Sequence, residues 1–237
     1  MDPTLTVIVP VFDEEDNLER VGRELTAYLD RTSTPAQVLF VNDGSRDRSG
    51  PMIEALCARD PRLHFLHLAR NSGLSAALKA GFDHVETRWA GYIDSDLQTS
   101  PDDFDLLMPF AADYELVTGV RVKRKDTLVK KLSSRIANAI RRSFTHDGAS
   151  DTGCPLKVIR ADVARRIPFF KGMHRFLPAL VQLDGGKVKE VPVRHFPRVA
   201  GESKYHLWNR LIGPTADLFA YRWMRSRYIR YEIAKKG

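Results

Sequence analysis

Short apolar runs rich in β-branched residues alternate with helical patterns through the first half of the chain. This alternation limits the fold more than any other feature. Residues 5–9 form the first run, followed by a helical pattern through Leu18, Val21, Leu25, Tyr28 and Leu29. Residues 38–41 form the second, closed by Asn42-Asp43-Gly44-Ser45, and Met52, Ile53, Leu56 and Cys57 mark an inward helical face. Residues 63–68 read as a third strand, Leu74, Leu78, Gly81, Phe82 and Val85 as a third helix, and residues 89–93 and 116–120 as two further strands. The expectation is an α/β fold: a parallel sheet covered by helices on both faces. Ligands of open sheets gather beyond the carboxyl ends of the strands. Residues 10–14, 43–45, 70–73 and 94–98 all fall there, so four polar exits converge on one rim.

One exit carries a paired acid. Asp94-Ser95-Asp96 directly follows the apolar run 89–93. In an extended backbone residues two apart face the same way, so both carboxylates can grip one hard divalent cation. Spacing alone is a weak signal, because a chain with 20 aspartates produces such pairs by chance. Asp103-Phe104-Asp105 is an internal control. It follows Ser100-Pro101, an N-cap with proline at the first helical position, and on a helix positions two apart diverge by roughly 200°. The strand-end position is what distinguishes the first pair.

The 237 residues, 43% hydrophobic and 28% charged, suit one large domain or a domain with an appendage. No apolar run approaches the roughly 18 residues of a spanning helix, and Met1-Asp2-Pro3 lacks a leader's basic and apolar regions. Cys57 and Cys154 form no framework and are expected to be reduced thiols. Charge is uneven. Residues 194–237 hold ten Lys/Arg against three acids, and residues 121–142 hold nine against one. Two basic zones on an otherwise neutral body call for an anionic partner: nucleic acid, a membrane surface or a phosphorylated substrate.

Beyond residue 121 the pattern changes. Leu128, Leu132, Ile136 and Ile140 recur on a basic helix. Residues 151–159 read as a loop entering a short strand, 174–183 as a helix, 188–196 as a strand and 197–205 as a basic loop. From 207 the chain reads as helix, broken or kinked near Gly213-Pro214.

Five segments in this order resemble a known family: Val7-Ile8-Val9-Pro10-Val11-Phe12-Asp13-Glu14, Val41-Asn42-Asp43-Gly44-Ser45, Arg70-Asn71-Ser72-Gly73, Asp94-Ser95-Asp96-Leu97-Gln98 and Arg198-Val199-Ala200-Gly201-Glu202-Ser203-Lys204-Tyr205. The chain is similar to the family 2, A-type (GT-A) glycosyltransferases, in the dolichol-phosphate mannose synthase-like branch that glycosylates polyprenyl phosphates. Asp13 departs from that pattern, which usually has Asn. The resemblance implies an α/β, Rossmann-like GT-A fold with a mixed, mostly parallel sheet, a catalytic domain over residues 1–205 and an amphipathic helical segment over 206–237, membrane-interfacial or dimerising.

The resemblance also implies roles. Pro10, Phe12, Glu14, Asp43 and Arg70 would hold the nucleotide, although Asp43-Gly44 is equally a common turn pair. Asp94 and Asp96 would position Mg²⁺ or Mn²⁺ on the donor diphosphate, with Asp96 the usual direct ligand and Asp94 and Ser95 nearer the nucleotide-sugar. Gln98 would touch sugar or acceptor. Arg121 and Arg135 would meet phosphates, as arginine's planar fork allows; a solvated basic helix face is the plainer alternative. Arg198, Ser203 and Lys204 would clamp a phosphate. Asp151 sits where related enzymes have a proposed general base. A phosphate monoester has its second pKa near about 6 and hardly needs deprotonation at neutral pH, so orienting the acceptor is the other role open to it. His174-Arg175-Phe176 matches a branch of the family without a clear role.

The expected activity is metal-dependent, inverting transfer of a sugar from a UDP- or GDP-linked donor to a polyprenyl phosphate. It would take place at the cytoplasmic face of a membrane, by a peripheral enzyme that also forms homo-oligomers. A soluble or glycan hydroxyl acceptor is the alternative, in which case Asp151 becomes essential. Nucleic-acid binding is the remote one: the charge of +7 favours it, but no helix-turn-helix, zinc or RNP-type motif is present.

Overall fold

A computed structural model describes residues 2–122, 139, 141–197, 212–230 and 234–235. The basic helix expected through Leu128, Leu132 and Ile136 and the loop from 198 to 205 lie outside these residues; residues 141–145, at the end of that pattern, are helical. Strands β1 (Leu5–Val11), β2 (Ala36–Asn42), β3 (Leu63–His67) and β4 (Trp89–Tyr92) pair in parallel. Strands β5 (Leu116–Arg121) and β7 (Val188–Val193) are parallel to each other. Strand β6 (Lys157–Arg160) runs antiparallel to both of its neighbours, β4 and β5. The order across the sheet is β3-β2-β1-β4-β6-β5-β7.

All seven residues of β1 are buried, which is why the strand reads as continuous apolar sequence rather than as an alternation. Val7 and Val9 face one core, Ile8 the other. On the first face lie helices α1 (Glu15–Arg31), α2 (Ser49–Arg59) and α4 (Phe104–Leu107), through Leu18, Val21, Ile53 and Phe104. The second face takes α3 (Leu74–His84), α5 (Ala161–Arg166), α6 (Leu177–Leu183) and α7 (Ile212–Arg227), through Leu78, Val163, Leu180 and Leu218. Helix α3 approaches β1 closely because Gly81 has no side chain there. A Cβ on it would lie 2.7 Å from Ile8 Cγ2.

The boundaries differ locally from expectation. Pro101–Asp103 is a single 3₁₀ turn leading into α4. The helix expected over 174–183 is split into a 3₁₀ turn, Met173–Arg175, and α6. The strand expected to reach 196 stops at Val193, where side-chain bonds described below take over. Gly213-Pro214 falls in the first turn of α7, where a missing proline N–H is tolerated.

Helix α7 uses its two faces differently. Leu218 and Tyr221 are buried; the Tyr221 ring stacks on Phe176 at 5.6 Å and its hydroxyl donates to the Ala179 carbonyl at 3.3 Å. Phe219, 60% exposed with its ring edge-on to Phe144 at 5.3 Å, and Trp223, 67% exposed, lie beside exposed Arg222 and Arg227. Among the described residues no helix is long and apolar enough to cross a membrane.

Candidate active site

From β1 the chain winds to β2 and β3 on one side, and β4 lies on the other. The β1/β4 boundary is therefore the switch point at which open sheets bind ligands. The turn after β1 is built around Asp13, whose φ of 49° is left-handed; a short polar side chain tolerates that conformation better than most. Reciprocal bonds stitch this turn to the one after β2. Asp13 N–H donates to Ser45 Oγ (3.0 Å), Arg46 N–H to Asp13 Oδ1 (2.7 Å) and Glu14 N–H to Ser49 Oγ (3.0 Å). Asn17 Nδ2 in turn donates to Glu14 Oε2 at 2.6 Å. Pro10 is buried opposite Val41, and Phe12 is half-buried just past the strand.

Asp43, buried at the exit of β2, accepts from Ser72 N–H with Oδ1 and from Gly73 N–H with Oδ2, both at 2.8 Å. Its first role is thus to fix the start of α3. Each carboxylate oxygen accepts more than one bond, so a ligand contact is compatible with that role. Gly44 follows at φ 67°, and a Cβ there would lie 2.5 Å from the Arg70 carbonyl carbon. The exits of β2 and β3 therefore touch through backbone, and the Arg70 side chain is left exposed.

The turn after β4 holds the acidic pair. Tyr92 Oη donates to Asp94 Oδ1 at 2.6 Å. Leu97 N–H closes the turn on the Asp94 carbonyl (3.2 Å), and Gln98 N–H donates to Asp96 Oδ1 (3.1 Å). Leu97 is buried yet stands at φ 47°, a left-handed conformation that costs a non-glycine residue about 1–2 kcal/mol. Arg20 reaches over from α1, and its Nη2 donates to the Asp96 carbonyl at 2.6 Å. Ser95 and Asp96 are buried and Asp94 is half-buried. Burial, and then the charge of Asp96, push the Asp94 carboxyl up to about 6, against the hydrogen bond from Tyr92 and the nearby Lys157 and Arg121.

This donor set fits a hard cation. Two oxygen-bearing groups repel each other across one turn, and a divalent ion between them would relieve that repulsion. Among the described residues no cluster of three or more His, Cys, Asp or Glu side chains gathers, so diphosphate and water oxygens would complete the coordination.

Next to the pair, the exit of β5 meets the loop before β6. Arg121 donates to Asp151 from Nε and Nη2, each at 2.8 Å, and from its backbone N–H at 3.2 Å. Burial would raise the Asp151 carboxyl, but these bonds hold it below the usual carboxylate range. Glu190 of β7 pins the same loop, accepting from Ser150 N–H and Ser150 Oγ at 2.7 Å each. Beneath lies Lys157, buried, its Nζ donating to the Cys154 carbonyl and sitting 5.9 Å from the Tyr92 ring centroid. Burial lowers its proton affinity.

The control motif divides as helical geometry requires. Asp103 is fully buried and accepts from Arg194 N–H and Nε, both at 2.8 Å, whereas Asp105 accepts from Thr32 Oγ1 on the outer surface. The Gln98 carbonyl accepts from Phe196 N–H at 2.8 Å, and His195 Nδ1 lies 3.1 Å from it. The exit of β7 is thus tied to the acidic turn, with the Gln98 side chain half-buried alongside. His174 Nδ1 lies 2.9 Å from Ser75 Oγ.

Of the residues expected at the site, Pro10, Phe12, Glu14, Asp43, Asp94, Ser95, Asp96, Gln98, Arg121 and Asp151 all occur at or beside strand exits on one rim, and Arg70 borders it. Arg135, Arg198, Ser203 and Lys204 lie outside the described residues. Sequence reasoning missed Arg20, Tyr92, Lys157 and Glu190. Tyr92 and Lys157 stand at strand ends, where a polar group in an apolar run is a signal. Arg20, on a helix of mixed charge, and Glu190, in an ordinary strand, gave none.

The glycosyl transferase family 2 model matches residues 6–168, from β1 through α5. Curated relatives include the undecaprenyl-phosphate 4-deoxy-4-formamido-L-arabinose transferases of Enterobacter sp. (strain 638) and Sodalis glossinidius, 34% and 32% identical over 217 residues. The match covers 90% of this chain and 66% of each relative. Among solved structures, mannosyl-3-phosphoglycerate synthase from Rubrobacter xylanophilus superposes with a TM-score of 0.72 at 14% identity, over 99% of this chain and 79% of that one. A mannosyltransferase from Pyrobaculum calidifontis, in complex with GDP-Man and Mn²⁺, gives 0.68 at 18% identity, over 98% and 66%. These structures share the GT-A fold with this protein. With its paired acids at the switch point of that fold, and a family model matching most of its length, the chain belongs to glycosyl transferase family 2.

Proposed function

We propose that this protein transfers a sugar from a nucleotide-diphosphate sugar to a polyprenyl phosphate, with inversion at the anomeric carbon. The observation that carries the reading is the acidic turn after β4, which sets Asp94 and Asp96 beside the Arg121–Asp151 pair at the switch point. The undecaprenyl-phosphate transferases named above support the acceptor class, and the neighbour with GDP-Man and Mn²⁺ supports the donor class and a divalent metal. Asp94 and Asp96 would hold Mn²⁺ or Mg²⁺, which when bound supplies Lewis-acid neutralisation of charge at the departing diphosphate.

The chain's own residues do the rest. The stitched turns at residues 10–14 and 43–49 form a rigid wall for base and ribose, with Asp43 and Glu14 already oriented by neighbours. Arg121, held flat by Asp151, faces a developing negative charge with a fixed guanidinium. Asp151, kept ionised by that arginine, orients rather than abstracts a proton. A phosphate-oxygen nucleophile suits such a site, because it arrives largely deprotonated. Arg135, Arg198, Ser203 and Lys204 belong to this reading as phosphate contacts.

The exposed Phe219 and Trp223, flanked by Arg222 and Arg227, suit the plane of an anionic membrane. We assign residues 206–237 that interfacial role, on the cytoplasmic face, with residues 1–205 as the catalytic domain. Incubation with radiolabelled UDP- or GDP-sugars, Mn²⁺ and a short-chain polyprenyl phosphate tests the reading. Labelled lipid is expected. Transfer to a hydroxyl acceptor with none to lipid would overturn it.

A further inference from the structure

The acidic turn is held by a residue from another element. Arg20 lies in the second turn of α1, and its Nη2 donates to the Asp96 carbonyl at 2.6 Å, a short bond from a charged donor. That carbonyl belongs to the peptide entering Leu97, the residue at φ 47°. A left-handed non-glycine residue persists only where its surroundings hold it. Two restraints come from within the loop: Leu97 N–H bonds to the Asp94 carbonyl, and the Leu97 side chain is buried. Arg20 acts on the peptide oxygen itself. Asp96 Oδ1 meanwhile accepts from Gln98 N–H, on the peptide that follows Leu97, so the direction of its carboxylate depends on the same turn.

The state of the guanidinium fits this assignment. Its Nε is buried with no hydrogen-bond partner among the described residues, which is costly for a donor. An arginine placed for its own hydrogen bonding would not adopt that arrangement. Its position serves the turn it holds.

We propose that Arg20 is a positioning residue for the cation site: it locks the Asp96–Leu97 peptide and so aims Asp96 at the ion. The inference rests on the cation reading above, and its test separates the two. Arg20→Met and Arg20→Lys are compared with wild type in two measurements. Amide hydrogen exchange of ligand-free protein reads the turn at Leu97 and Gln98. Electron paramagnetic resonance of Mn²⁺, with UDP or GDP present, reads cation affinity.

In Arg20→Met, exchange at Leu97 and Gln98 is expected to quicken about tenfold and Mn²⁺ affinity to fall about tenfold, a loss of about 1.4 kcal/mol. Amides in the rest of α1 and the melting temperature are expected to stay as in wild type, and Arg20→Lys, which keeps one donor, to recover part of both effects. Wild-type exchange and affinity in Arg20→Met would overturn the proposal, as would identical behaviour of the Met and Lys variants. Should wild-type protein bind no Mn²⁺ with either nucleotide, the cation reading falls, while the exchange measurement still decides whether Arg20 holds the turn.

Discussion

Arg121 grips Asp151 at both ends of its guanidinium, Nε to Oδ2 and Nη2 to Oδ1 at 2.8 Å each. Both side chains are only 15% and 13% exposed. An acid so paired does not readily take up a proton near neutrality, and the loop that carries it is pinned again by Glu190. In the proposed reaction the pair therefore presents an oriented cation, not a waiting base.

Asp151→Asn is accordingly expected to slow transfer to a phosphate acceptor without changing its pH dependence. Rate profiles of mutant and wild type should run parallel between about pH 6 and 8, where the acceptor's own second ionisation, near about 6, governs nucleophile supply. A loss on the order of 10²–10⁴-fold across that whole range would instead make Asp151 the base.

Breaking the pair should cost stability. Arg121→Ala strands a half-buried carboxylate, and such losses run to about 3–5 kcal/mol. The double variant Arg121→Ala/Asp151→Ala is expected to be less destabilised than the two single losses added together, by about 1–3 kcal/mol of coupling. Urea denaturation of the four proteins measures this directly; simple additivity would mean that the ion pair is energetically idle.

Asp96→Ala should abolish transfer, by on the order of 10³-fold or more if the metal supplies several kcal/mol of charge stabilisation. The Asp96 carboxylate accepts from Gln98 N–H within its own turn, and circular dichroism is expected to show the fold intact. Ordinary turnover in this variant would refute the metal role.

His174 gives a pH signature in stability. Burial, then Arg175 and Lys157, lower its pKa from 6.5 to about 3. The unfolded chain therefore takes up a proton that the folded one refuses. The stability this residue contributes is complete above about pH 6.5 and declines as the pH falls towards about 3. His174→Gln is expected to flatten the drop in melting temperature between about pH 6.5 and about pH 4, inside that window. An unchanged slope would show that His174 titrates normally.

For the outer face of α7, Trp223→Glu is expected to release the protein from vesicles containing anionic lipid while leaving its melting temperature unchanged. The Trp223 side chain is exposed, whereas Leu218 and Tyr221 hold the helix to the body and Phe219 packs edge-on to Phe144. Co-sedimentation with vesicles reads the outcome, and full retention by the vesicles would remove the membrane assignment.

The strand exits were legible because polar turn residues interrupt apolar runs at regular places, and the chain order put them on one rim. The contrast between Asp94-Ser95-Asp96 and Asp103-Phe104-Asp105 was legible for a sharper reason: strand and helix periods send the same spacing in different directions. In the structure Asp103 turns inward to Arg194 and Asp105 outward to Thr32. What could not be read were long-range pairings. Arg20 lies 76 residues from the carbonyl it holds, and Glu190 lies 40 from Ser150; neither leaves a local pattern. Asp43 was legible as a rim residue, but its clamp on Ser72 and Gly73 depends on how β3 returns beside β2.

Strand β6 runs against the grain of the sheet, and that reversal has an architectural result. A strand laid antiparallel begins where its neighbours finish, so the stretch leading into Lys157 is delivered to the ligand side, opposite Tyr92. Two chain segments that travel in contrary senses thereby share one wall of the cleft. Changes to the incoming segment can remodel its own side of that wall while the Tyr92 side keeps its shape.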